Sequence, residues 1–408
     1  MVPRLFVDVT PLRTSRDFRL LFIGQFVSVL GSNLTIVAVA YQVYQVTDSS
    51  LWVGLVSFIQ LPVLIIGSLW GGALGDRFDR RTLLIGASFL LGLLSLGLGL
   101  NALAVHPYFA LLVTLPALAA GFAGLSGPLR TAVIPTLVKP EELVAAYSLN
   151  QVLYNTGTMV GPAAAGALLA TVGLSWCYFI DAGTFMALTF TTFFMASMKP
   201  VGEHGGVKML RAIGEGFRYV RSHAVVQAVY LVDLNAMVFG LPRALFPAMT
   251  LHVYHGGPVI LGLLYAAPGA GALVMALFTG WLDRIRRRGR LVVLVVITWG
   301  LVMALFGLVP VLWVGLACLG VAGAMDVISA VLRSTILQTS ILDDYRSRIS
   351  AIQMAVVTGG PRLGDLESGT VANFTSTEFS IVSGGIMCVL GVLTLVRWRP
   401  SFWKEQSL

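Results

Sequence analysis

Apolar runs long enough to cross a bilayer recur along the whole of this 408-residue chain, and the positive charges between them fall on one side only. Twelve runs read as spans, roughly 18–46, 51–75, 82–104, 108–137, 142–171, 174–198, 224–252, 258–282, 291–309, 311–338, 347–373 and 377–397. About 20 residues suffice to cross a bilayer, so most of these runs predict tilt or extension beyond the lipid. Of 27 Lys and Arg, four lie well inside spans, away from their ends: Arg130, Arg243, Arg333 and Arg362. The other 23 all face one side if both termini are cytosolic. The opposite loops, near Thr47–Ser50, His106, Gly173, His252–Pro258, Pro310 and Ser376, contain none. Lys and Arg collect in cytoplasmic loops, and a wrong span count would scatter them over both sides.

Only 11% of the residues are charged and 57% are hydrophobic, with a mean hydropathy of +0.85. Soluble domains carry about 25% charged residues, so an ordinary soluble core is excluded. The net charge of +8 would suit nucleic acid, but the positive residues sit between spans, where they set topology, and no nucleic-acid partner is expected. Cys177, Cys318 and Cys388 lie far apart in apolar surroundings and read as buried structural thiols. The basic amino terminus runs into a long first span with no cleavable signal pattern. No Gly-x-x-x-x-Gly-Lys-Ser/Thr loop is present, so neither ATP drive nor a cofactor is expected.

The longest polar segment is 199–223. Within it Leu210, Ile213, Phe217 and Val220 recur at helical spacing opposite Lys199, Lys208, Arg211, Arg218 and Arg221. That pattern predicts an amphipathic helix on the cytosolic membrane surface. It divides the chain into a first bundle over 1–198, a linker over 199–223 and a second bundle over 224–408. The halves repeat: Leu125-Ser126-Gly127-Pro128-Leu129-Arg130-Thr131 returns 203 residues later as Ile328-Ser329-Ala330-Val331-Leu332-Arg333-Ser334. Asp76-Arg77-Phe78 returns 207 residues later as Asp283-Arg284-Ile285. A period of half the chain means duplicated bundles. The expected fold is all-α, twelve transmembrane helices in two pseudo-symmetric six-helix bundles with a substrate path between them, as in transporters.

The turn after span 2, Gly71-Gly72-Ala73-Leu74-Gly75-Asp76-Arg77-Phe78-Asp79-Arg80-Arg81, places five charges in six residues. It resembles the loop between helices 2 and 3 of the major facilitator superfamily, except that Asp79 stands where Gly is usual. Gly72 and Gly75 permit close helix approach. Asp76 is an anion that could cap the amino end of a neighbouring helix. The resemblance implies that this neighbour is span 11, near Arg346–Ile349, with Arg77, Arg80 and Arg81 pairing across a cytosolic gate. The alternative is a plain topological anchor. In span 5, Gly157, Gly161, Pro162 and Gly166 resemble the antiporter motif Gly-x-x-x-Gly-Pro-x-x-Gly-Gly, with Ala165 replacing one Gly. That motif implies efflux; generic small-residue packing with a kink at Pro162 is the alternative.

Ionisable residues inside spans must face the bundle interior, pair, or line water. They are Arg130, Asp181, Asp233, Arg243, Asp326, Arg333, Arg362, Asp365 and Glu367. Arg130 and Arg333 lie towards cytosolic span ends, and Asp181 reads as close to the outer surface. The run Thr358–Glu367 is the densest polar cluster, and its Gly-Gly-Pro suggests a broken or flexible helix lining a cavity. A proton-coupled exporter needs a buried carboxylate that binds a proton. The first span offers only Asp17 at its start, so coupling is expected in the second half, at Asp233, Asp326, Asp365 or Glu367. Static Asp–Arg pairing is the alternative. His252-x-x-His255 reads as interfacial, with no carboxylate nearby and no metal site.

Further stretches resemble one branch of bacterial exporters, related to the enterobactin exporter and to macrolide-efflux proteins. They include Asp17–Phe22, Gln25–Ser28, Arg243–Ala248, Gly262–Ala267, Leu337–Thr339 and Arg348–Ile349. The branch implies proton-driven siderophore export by alternating access, with Arg243 matching an Arg in it. Arg243, Arg362 and Arg333 are the candidate substrate contacts, suited to an oxygen-rich or anionic ligand. Multidrug or macrolide efflux on the same fold is the alternative. No membrane-embedded catalytic constellation is visible, so an enzyme is not expected. The expected partners are a small-molecule substrate, protons and the bilayer of a bacterial inner membrane, with the chain acting as a monomer.

Overall fold

A computed structural model of the protein describes residues 8–199, 209–285, 287–341, 346–399 and 403. Among them every regular element is a helix. The long ones are α1 Arg16–Thr47, α2 Ser50–Gly75, α3 Arg80–Leu103, α4 Phe109–Leu137, α5 Leu143–Thr171, α6 Leu174–Phe193, α7 Met209–Ser222, α8 Ala224–Phe239, α9 Pro258–Leu277, α10 Arg288–Leu308, α11 Leu312–Ser340, α12 Arg346–Phe374 and α13 Thr377–Trp398. Apart from α7, each coincides with an expected span. Nine stretches among the described residues are long and apolar enough to cross a membrane. The other three expected spans are α5, α6 and α12, continuous helices whose polar residues dilute them: Asn150, Gln151 and Asn155; Asp181 and Thr184; Arg362, Asp365 and Glu367. Asp181 and Asp365 find partners on neighbouring helices.

Burial follows helical faces. On α10, Val292, Val296, Trp299, Met303 and Phe306 are buried, whereas Leu294, Leu301, Leu305 and Leu308 are exposed along the opposite face. A helix that is apolar all round yet open on one face suits contact with lipid.

The chain clusters into two compact units, with boundaries at Val46/Thr47, Phe58/Ile59 and Gly205/Gly206. Residues 47–58, which hold the first turns of α2, belong to the second unit. In the first unit, Phe18, Ile134, Val138, Ala146 and Leu149 join α1, α4 and α5. Leu21, Leu84, Leu129, Val133 and Met195 extend this core to α3.

Glycines set the closest helix contacts. A Cβ on Gly67 would strike the Gly121 carbonyl, and one on Gly71 the Leu125 carbonyl, so α2 and α4 meet backbone to backbone. A Cβ on Gly75 would lie 2.5 Å from Leu129 Cδ2. In the second unit Gly271 on α9 faces the Gly320 carbonyl, and Gly323 on α11 faces the Pro268 carbonyl. Small residues four apart permit such approach. The sequence repeat therefore reappears as one helix contact built twice.

The seventh span departs from expectation. α8 ends at Phe239, and Gly240–Pro242 interrupts it. The chain resumes as a 3-10 turn Arg243–Leu245, a helical turn Phe246–Ala248 and a π-helical turn Met249–Val253. Conversely, α12 runs unbroken through Pro361, against the expectation of a broken helix there. The glycines in that run serve packing. A Cβ on Gly360 would lie 2.8 Å from Met237 Cβ, and one on Gly364 2.6 Å from the Met237 carbonyl. Arg362 Nη1 also donates to the Thr358 carbonyl at 2.9 Å, across the turn that Pro361 weakens.

α7 forms within the polar linker. Tyr219 and Val220 are buried and Arg218 and Arg221 exposed, as the amphipathic pattern requires, while Phe217 is exposed. Lys208 and the side chains of Leu210, Arg211 and Ile213 lie outside the described residues. The three cysteines are free and buried.

Candidate functional site

The turn between α2 and α3 is fastened to the exit of α6. Asp79 caps α3, accepting from the Arg81 amide at 3.0 Å. Its carboxylate also accepts from Ser197 Oγ at 2.6 Å and the Met198 amide at 2.9 Å. The Arg80 amide donates back to the Met198 carbonyl at 3.2 Å. Arg81 donates to the Thr192 and Phe193 carbonyls and lies over the Phe193 ring. Arg80 donates to the Gly75 and Ala132 carbonyls, both at 3.2 Å. These cations meet carbonyls at helix carboxyl ends, where positive charge is favoured. Asp17 adds a further tie, accepting from the Ala196 amide at 2.9 Å. Asp76 and Arg77 are exposed. The side chains of 346–348, at the expected partner end, lie outside the described residues, as do those of Asp283 and Arg284. Asp79, the departure from the superfamily pattern, is thus the hub of the turn.

Burial pushes the Asp79 carboxyl up, but the Ser197, Met198 and Arg81 donors and the Arg81 charge outweigh it and hold it below the usual carboxylate range. A folded-state value below the unfolded one means stabilisation that is whole above about pH 4 and lost as pH falls through the folded value. Asp79→Ala is expected to lower the thermal midpoint in detergent at neutral pH, with the lost cap alone costing about 1 kcal/mol. The gap to the unsubstituted protein should close in strong acid. A gap that is constant with pH would rule out the ionised carboxylate as the tie.

The second unit holds most of the intramembrane charges. Arg333 on α11 is 4% exposed, and its Nη2 stands 2.8 Å from Asp233 Oδ1 on α8 and 4.0 Å from Asp326 Oδ1. Its Nη1 donates to Ser329 Oγ at 2.9 Å. Asp326 is half-exposed. Arg333 is therefore committed to a pair, whereas Arg243 is exposed at the restart of the seventh span. Arg243 offers its carbonyl to Tyr265 Oη at 3.1 Å. Asp365 on α12 is buried, accepting from Ser57 Oγ at 2.6 Å and from the Ala244 amide at 3.1 Å. It caps the restarted helix, which explains why the chain resumes there. Glu367 is half-buried and makes no hydrogen bond or ion pair among the described residues.

In the first unit, the antiporter-like glycines pack α5 on α1. A Cβ on Gly161 would lie 2.5 Å from Asn33 Cβ and 3.2 Å from the Leu30 carbonyl, and Gly157 faces Val29. Pro162 and Gly166 are buried within the unbroken α5. Asp181, seven residues into α6, is 1% exposed. It accepts from Thr35 and Ser95 hydroxyls, each at 2.7 Å. The seclusion arises because α1, α3 and α6 each aim a polar side chain at one point, which single-helix hydropathy does not show. His252 differs from expectation, since Asp48 Oδ1 stands 3.9 Å from its Nε2. The left-handed backbone at Asp48 turns the chain there. No group of three or more metal-ligating side chains occurs among the described residues.

Comparison with known proteins agrees with this architecture. The nucleoside transporter NupG superposes with a TM-score of 0.75 at 12% identity, covering 94% of this chain and 99% of that one. A D-xylose–proton symporter superposes with a TM-score of 0.71 at 15% identity, covering 94% and 98%. These establish the major facilitator fold. In sequence, the enterobactin exporters of Citrobacter koseri and Shigella boydii are each 30% identical over 394 residues, covering 96% of this chain and 94% of the relative. The transmembrane secretion effector family matches residues 7–408, and with relatives aligned over nearly the whole length, this chain belongs to that family of the major facilitator superfamily.

Proposed function

We propose that the protein is a secondary active exporter that moves a siderophore, or a similarly hydrophilic small molecule, out of the bacterial cytosol in exchange for protons by alternating access. The observation that carries this reading is the 30% identity to enterobactin exporters over 96% of the chain. In this reading it works as a monomeric transporter, not an enzyme, in the inner membrane with both termini cytosolic. Its working halves are 1–198 and 224–408, joined by 199–223. Gly72, Asp76, Arg77, Arg80 and Arg81 form the cytosolic gate, and Gly157, Gly161, Pro162 and Gly166 the antiporter motif.

Charge chemistry supports a proton role in the second unit. Asp233, Asp326 and Arg333 together carry one excess negative charge, which one proton neutralises. Asp365 and Glu367 are the further coupling candidates. One charge crossing 100 mV supplies ~2.3 kcal/mol. Arg243, with its exposed guanidinium, is the first substrate contact; Arg362 and Arg333 follow. Guanidinium groups favour oxygen-rich or anionic ligands.

Everted membrane vesicles with an imposed pH gradient test the reading. A catecholate siderophore is expected to release protons, and a macrolide or a cationic dye is not. Release by the macrolide or dye alone would move the assignment to multidrug efflux, and no release by any of them would overturn proton exchange for this substrate class.

A further inference from the structure

We infer that Asp181 is a proton-binding site of the first unit, caged by Thr35, Ser95 and Thr184, which takes up and releases a proton during the transport cycle. This rests on the proton exchange proposed above and adds a second carrier, far in sequence from the acids of the second unit.

The cage is built from three helices. Asp181 on α6 is 1% exposed. Its Oδ2 accepts from Thr35 Oγ1 of α1 and Ser95 Oγ of α3, both at 2.7 Å. Oδ1 has a single long contact, Thr184 Oγ1 at 3.4 Å, and that hydroxyl also donates to the Asp181 carbonyl at 2.7 Å. Gly31 closes the remaining side, since a Cβ there would lie 2.7 Å from Asp181 Oδ1.

The chemistry of the partners decides the role. When a carboxylate that faces a guanidinium takes up a proton, as Asp233 facing Arg333 would, it leaves that guanidinium without its counter-ion. Asp181 faces only hydroxyls among the described residues, and a hydroxyl both donates and accepts. Thr35 and Ser95 donate to Oδ2, while the single Thr184 hydroxyl hydrogen goes to the Asp181 carbonyl, which leaves Thr184 Oγ1 free to accept. After protonation the new O–H on Oδ1 donates to Thr184 Oγ1, while Oδ2 keeps its two donors. The cage thus serves both states with no second ionised group to rearrange.

No charge lies close along the helices that build it. On α1 the charged residues are Arg16, Asp17 and Arg19, at least 16 residues from Thr35, about 24 Å along the axis. On α3 they are Arg80 and Arg81, at least 14 residues from Ser95, about 21 Å. α6 carries no other charged residue, and α5, packed against it, carries none. The remaining titratable groups are Tyr41 and Tyr44 on α1, Cys177 and Tyr178 on α6, and Tyr147 and Tyr154 on α5, all neutral types near pH 7. Tyr178 is engaged with Gln42 Oε1 at 2.8 Å.

Infrared difference spectroscopy of the purified full chain in lipid nanodiscs, between acid and alkaline pH, reads the site without any substrate. The expected result is a protonated-carboxyl carbonyl band that appears in acid and is missing in Asp181→Asn. Thr35→Val and Ser95→Ala keep the carboxyl but remove a hydrogen bond to it, and each should move that band in frequency. An unchanged spectrum in Asp181→Asn would overturn the proposal. If that variant does not fold, a band unmoved by both hydroxyl variants overturns it instead. Loss of siderophore-driven proton release in unsubstituted vesicles would count against the exchange reading, whereas the infrared band judges Asp181 alone.

Discussion

Arg333→Met should destabilise the second unit by about 3–5 kcal/mol, the usual cost of leaving one half of a buried ion pair behind. Asp233 would remain 4% exposed with its 2.8 Å counter-ion gone. Ser329 Oγ would lose its donor as well. Neither water nor a lipid headgroup reaches such a site cheaply. Asp233→Leu should be similarly severe, because Arg333 would then face only Asp326 at 4.0 Å. The double variant Arg333→Met with Asp233→Leu should recover much of the loss, since apolar replacement of a whole buried pair is often neutral or better. Thermal unfolding midpoints of the detergent-purified proteins measure the series. Equal midpoints for the single and double variants would mean that the pair is not coupled, and the 2.8 Å contact would then contribute nothing to the fold.

Gly271→Ala and Gly67→Ala form the second large effect. Each added Cβ would run into a backbone carbonyl, of Gly320 and Gly121 respectively. A carbonyl within a helix cannot rotate away, so the two helices must part. Overpacking of this kind typically costs about 1–3 kcal/mol, and a backbone obstacle places it at the upper end. Gly183→Ala is the matched control, because nothing lies within 4 Å of the Cβ it would gain. There the substitution removes chain entropy from the unfolded state and should be neutral or gain up to about 1 kcal/mol. Opposite signs for the same chemical change would establish the contact as backbone to backbone. A loss at Gly183 equal to that at Gly271 would argue that glycine matters for a reason other than proximity.

Hydropathy made the long helices readable, because a bilayer demands a length and an apolarity that appear in any window of the chain. The linker helix was readable too, since it alone sets polar against apolar faces. Side-chain partners were harder to read. In lipid the outer face is as apolar as the core, so periodicity no longer tells which side of a helix is buried. Asp181 illustrates this: its partners Thr35 and Ser95 lie 146 and 86 residues away and are ordinary helix residues in isolation. The position of the helix break is hidden from the sequence for a related reason. Gly359-Gly360-Pro361 is the stronger breaker on paper, yet Met237 packs against Gly360 and the helix holds. Leu241-Pro242 carries a weaker signal, and the chain breaks there. Asp79 shows the reverse: a visible departure from the family pattern whose role, tying the turn to Ser197 and Met198, required knowledge of a neighbour 118 residues on.

The break in the seventh span also has a bearing on how the chain is made. The amide of Ala244 is satisfied by a carboxylate 121 residues further along. At a synthesis rate of roughly 5–20 residues per second, that acceptor leaves the ribosome about 6–24 s after the amide does. Through that interval the segment after Pro242 enters the insertion machinery with an open amino end, which hydrocarbon penalises. The second half of this span therefore cannot reach its final form when it is inserted. It must wait at the translocon or the membrane border until α12 arrives, so assembly of the second unit finishes out of the order in which its residues are written.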